Sequence, residues 1–75
     1  MALIKVIELV GSSTKIWPDA VEVAVKVASE SIRQINGVDV IRQTATVEGG
    51  KIAEYRATIH VAFQVEEHGH LVGVV

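Results

Sequence analysis

From Lys51 to Val65 the chain alternates. Ala53, Tyr55, Ala57, Ile59, Val61, Phe63 and Val65 are apolar, and between them fall Glu54, Arg56, Thr58, His60, Ala62 and Gln64, most of them polar. A period of two held over this length belongs to a half-buried strand and fits no helix. At roughly 3.3 Å per residue the segment extends to about 50 Å. A chain of this size has an expected radius of gyration of about 11 Å. The strand must therefore curl around something, extend into a partner, or do both.

The rest of the chain supplies its companions. Leu3 to Val10 is rich in β-branched residues and reads as a strand. Its two faces are both apolar, interrupted by Lys5 and Glu8, so both are expected to meet protein. Gly11 to Thr14 reads as a loop. Trp17-Pro18-Asp19 predicts a helix start, with proline in the first turn and a carboxylate at the positive end of the dipole. Trp17, Ala20, Val21, Ala24, Ala28, Ile32 and Ile35 continue it as one apolar stripe. Glu22 and Lys26 are spaced as an outward i,i+4 pair. Val23 and Val27 stand off the stripe and hint at a neighbour. Asn36-Gly37 is expected to stop the helix, with Gly37 in the left-handed position. Val38 to Glu48 predicts a second strand, and Gly49-Gly50 a tight hairpin into the third.

The order is β-α-β-β, an α+β class. A helix between two strands of one sheet favours a parallel pair, and the hairpin makes the third strand antiparallel to the second. Placing the third strand between the other two gives a three-stranded antiparallel sheet wrapped around one helix, with a long curved third strand. Its odd face covers the helix. Its even face looks away, together with Arg42, Thr44 and Thr46. Residues 1–66 form a single domain in this reading and 67–75 a C-terminal tail, either without fixed structure or docking LVGVV as a short strand.

Composition narrows what such a domain does. With 75 residues, 49% hydrophobic and no Cys, the core is small and has no disulfide to support it, which leaves oligomerisation as the staple. A net charge of -2 argues against nucleic acid, which calls for a basic face. No apolar run approaches the ~20 residues of a membrane span. The N-terminal MALIKVIELV carries Lys5 and Glu8 and no clean cleavage site, so the expected location is the cytoplasm.

The residues offer little chemistry. No nucleophile motif and no glycine-rich phosphate loop is present, and an enzyme is not expected. His68 and His70 supply two imidazoles on the tail, a weak metal site at best. His60 lies on the polar face of the third strand. Asp39, Glu48, Glu54, Glu66 and Glu67 are the carboxylates available to a hard cation at a subunit junction, although their spacing is no calcium loop. Trp17 serves the core, an interface or a planar ligand. Arg56 serves an ion pair with Glu54 or an anion.

Four segments, KVIELVGSS, WPDAVEVAVKVAS, INGVDVIRQ and GGKIAEYRATIHVAF, resemble the dodecins in order and spacing from about Lys5 to Phe63. The resemblance implies a hollow homododecamer and a non-enzymatic binding protein; the best-known branch stores FMN or riboflavin as stacked pairs. Its pocket falls here on Gly37, Arg42, Gln43 and Arg56. Flavin binders carry a stacking Trp where this chain has Gly37, a Gln where it has Arg56, and usually an acidic residue where it has Arg42, beside Gln43. Without the stacking plane an aromatic contact of about 0.5–1.5 kcal/mol is lost. The pattern is more similar to the branch without that Trp, some members of which are calcium-binding. The expected function is thus to hold a small ligand or ions, calcium or another divalent cation by analogy, with flavin storage as the alternative. The expected partner is the chain itself.

Overall fold

The computed structural model describes residues 2–66. The elements run β1 (Ala2–Ser13), α1 (Trp17–Ser29), β2 (Ile35–Glu48) and β3 (Lys51–Glu66). The expected β-α-β-β order and central third strand are observed: the sheet order is β1-β3-β2. β3 pairs antiparallel with both neighbours, from Ala2↔Glu66 to Ser13↔Tyr55 on one side and from Ile35↔Phe63 to Glu48↔Lys51 on the other. Gly49 and Gly50 turn the hairpin with φ of 58° and 78°, values that glycine adopts without steric cost.

The core lies between α1 and the odd face of β3. Ala57, Ile59 and Val61 are fully buried there in one cluster with Ala20 and Ala24. Ile7, Leu9, Val21, Val25 and Ile35 pack around them. Small residues on the helix let it sit close to the sheet. Ser13 fixes its start: the Ser13 hydroxyl donates to Asp19 Oδ2 at 2.7 Å and accepts from the Lys15 amide at 2.9 Å. Asp19 thus ties the end of β1 to the first helical turn, besides facing the dipole.

Three boundaries differ from expectation. The helix ends at Ser29, so Ile32 and Ile35 are not helical, and Ile35 begins β2. Ser29 bonds back to the Val25 carbonyl at 2.8 Å, an arrangement that weakens a helix. The next two amides then reach three residues back, Glu30 to Val27 and Ser31 to Ala28, each at 3.1 Å. The left-handed residue is Gln34, with φ of 61°, and not Gly37. Gly37 lies inside β2, opposite Ala62. Gly11, Ser12 and Ser13 belong to β1, not to a loop. The suggestion that LVGVV docks as a strand lies outside the described residues.

The molecule measures 56 × 19 × 14 Å with a radius of gyration of 15.8 Å, against about 11 Å for a compact chain of this length. A 13-residue helix is about 20 Å long, so the sheet reaches far beyond what it covers. No helix among the described residues is long and apolar enough to cross a membrane.

Candidate functional site

The even face of the sheet, turned away from α1, carries the polar side chains in rows set by strand register. Glu8, His60 and Asp39 form one row across β1, β3 and β2. Val10, Thr58 and Arg42 form the next, and Ser12, Arg56 and Thr44 the one after. Glu54 stands opposite Thr46 beyond them. Alternation delivers every second residue of each strand to this face. The bulge between Val40 and Arg42 moves Arg42 onto the same face as Asp39, which is three residues earlier.

One ion pair and one histidine–carboxylate contact hold this surface. The Arg56 Nε donates to Glu54 Oε1 at 2.9 Å, the pairing expected from the sequence. His60 Nε2 lies 2.9 Å from Glu8 Oε1, a contact that β3 makes with a strand 52 residues away in the chain. Sequence reading left His60 without a partner, because only register shows which residue stands opposite.

Within one protomer the four pocket positions are spread along the sheet. Gly37 is opposite Ala62, Arg42 opposite Thr58, and Arg56 opposite Thr44, all on the even face. Gln43 is opposite Ala57, on the helix side. Arg42 and Arg56 are diagonal neighbours, about 7–8 Å apart in such a sheet. Gly37 is six residues along β3 from Arg56, about 20 Å. Space at Gly37 is open: a Cβ there meets only the Ala62 Cβ, at 3.7 Å. A shallow depression beside it is lined by Val6, Asp39, His60 and Ala62.

Trp17 is engaged within the protomer. Its ring meets Tyr55 edge-on, with centroids 4.8 Å apart, and its Nε1 donates to the Thr44 carbonyl at 2.8 Å. The carboxylates are dispersed: Asp39 sits in the His60 row, Glu54 about 20 Å further along, and Glu48 at the hairpin opposite Lys51. Among the described residues no three His, Asp or Glu side chains converge on one cation position. A calcium ion takes 6–8 oxygen ligands, so the described residues of one protomer do not fit it. Glu67, His68 and His70 lie outside the described residues.

Comparison with known proteins agrees with this architecture. A family model for dodecins matches residues 3–66. Calcium dodecin from Mycobacterium tuberculosis is 32% identical over 65 residues, covering 87% of this chain and 92% of that protein. The crystal structure of the Mycobacterium tuberculosis calcium dodecin superposes with a TM-score of 0.76 at 35% identity, covering 85% of this chain and 91% of the other. The dodecin of Streptomyces coelicolor superposes with a TM-score of 0.86 at 28% identity, covering 89% and 96%. Sequence and backbone thus rank these two relatives in opposite order. Both share the β-α-β-β fold, and with the family model spanning all but the ends of the sequence, the chain belongs to the dodecin family.

Proposed function

We propose that the chain is the subunit of a cytoplasmic, hollow homododecamer that holds a small ligand or ion without transforming it. The observation that carries this reading is the apolar surface one protomer leaves uncovered. Leu3, Ile4, Val6 and Val10 of β1, Val38, Val40, Ile41 and Val47 of β2, and Val23 and Val27 of α1 are each between 39% and 63% exposed. Neither strand β1 nor β2 is paired on its outer edge among the described residues. A monomer with this surface is an aggregation hazard, and further copies of the chain remove it.

The ligand is argued by relationship and by what the even face offers. The likeness to calcium dodecin favours a calcium-type member, in which carboxylates from more than one subunit must combine, since one protomer does not gather enough of them. The resemblance to the flavin-storing branch of the family keeps flavin storage as the competing reading. Gly37 supplies no ring to stack on, Trp17 is already bonded to Thr44 and Tyr55, and Arg56 replaces the amide, so we expect tight flavin binding to be absent.

Light scattering on the size-excluded protein tests the assembly, with an expected mass near twelve times the 8.1 kDa of one chain. A stable monomer removes the proposal. Titration with FMN and riboflavin, read by fluorescence, is expected to show no quenching at micromolar protein. Titration with calcium, read by calorimetry, is expected to show saturable binding. Quenching without a calcium response would reverse the ranking of the two ligands.

A further inference from the structure

The two arginines of the even face have no explanation in a cation store. Arg42 and Arg56 are diagonal neighbours by register, and each like charge raises the energy of the other. Among the described residues Arg42 makes no ion pair, and Arg56 is paired only with Glu54. That pair uses Nε, which leaves the terminal nitrogens of a five-donor group free. Thr58 stands beside Arg42, and Thr44 and Ser12 flank Arg56. Three strands therefore deliver two guanidinium groups and three hydroxyls to one patch.

We propose that this patch, Ser12, Arg42, Thr44, Arg56 and Thr58, is a binding site for a phosphate-bearing anion. A dianion between the arginines removes their repulsion and accepts bidentate hydrogen bonds from the fork geometry that suits phosphate. Hydroxyl donors complete its shell. Glu54 is a positioning residue: its carboxylate holds the Arg56 plane and leaves the patch less than doubly positive. The same charges repel calcium, so a cation bound by this protein sits elsewhere. The site names a ligand class for the proposed binding protein and rests on that reading only for its biological setting, because all five residues come from one protomer.

The experiment is a calorimetric titration of the full chain with pyrophosphate at low ionic strength, with acetate in parallel and light scattering on each sample. Saturable pyrophosphate binding is expected, with none for acetate. Arg42→Gln and Arg56→Gln each raise Kd about tenfold, the equivalent of about 1.4 kcal/mol, while keeping the parent's mass. Inorganic phosphate separates the sources: tighter pyrophosphate than phosphate supports a diphosphate-bearing ligand, and equal binding supports a single phosphate group. No saturable binding by the parent, or affinity unchanged in both variants, overturns the site. A monomer that still binds pyrophosphate through the arginines overturns the assembly and leaves the site standing. A dodecamer that does not bind does the reverse.

Discussion

Gly11 sets the distance between helix and sheet. It lies opposite Ala57 in the register, beneath α1. A Cβ placed there would stand 2.1 Å from the Ala20 carbonyl oxygen and 2.8 Å from the Ala24 Cβ. Neither atom is the tip of a flexible side chain, so the backbones themselves would have to part. Gly11→Ala is expected to cost roughly 1–3 kcal/mol, the range for overpacking a filled core. With a shift of about 4–8 °C per kcal/mol for a domain of this size, thermal unfolding followed by circular dichroism resolves it. Ser12→Ala, at an exposed neighbour, serves as the control, and equal melting of the two variants would show that the helix is not seated on Gly11. The sequence held a usable signal here. A glycine interrupting a strand pattern marks a bulge or a close approach, and an alanine stripe on the following helix says what approaches. Gly11 instead reads as the first residue of a loop because Ser12, Ser13 and Thr14 follow it.

At the scale of the elements, the alternation of β3 was the most legible feature. Its odd residues Ala57, Ile59 and Val61 are the buried ones, and its even residues share a face with Arg42, Thr44 and Thr46 as periodicity predicts. The helix was legible at its start and not at its end. Trp17 and Pro18 open it, but Ile32 and Ile35 fall at helical spacing from Ala28 by coincidence. Their burial is satisfied in the turn and in β2. Propensity does not register the Ser29 side chain returning to the Val25 carbonyl. What the pattern missed is the bulge at Ile41, which brings Asp39 onto the even face beside Arg42; alternation alone does not locate bulges. Val23 and Val27 stand off the stripe by spacing, and they are 40% and 57% exposed. They border a cleft between α1 and β1 lined by Ile7, Leu9 and Ile32. Val23→Asp or Val27→Asp is expected to lower the mass seen by light scattering while leaving the far-ultraviolet helix signal in place, because each places a charge on an apolar surface and neither touches the core. Unchanged mass in both variants would show that this helix face is not an interface.

For the whole molecule, stability is expected to depend on concentration. Among the described residues the fully buried large side chains are Ile59 and Val61, a core too small to offset the ordering of a chain this long. If copies cover the remaining apolar surface, association contributes to folding by mass action. The melting temperature should therefore rise with protein concentration across a hundredfold dilution series, and a constant value would mean that the protomer is stable alone. The position of β3 has one more consequence, for the order of events in synthesis. Among the described residues β1 and β2 are not neighbours in the sheet; both depend on β3, the last of the three described strands to leave the ribosome. Ala2 finds its partner only when Glu66 has been made. Such pairing is about as non-local as a chain of this length permits, and non-local pairing is slow. The nascent chain can form α1 early but cannot close its sheet, so folding waits for the last residues of β3.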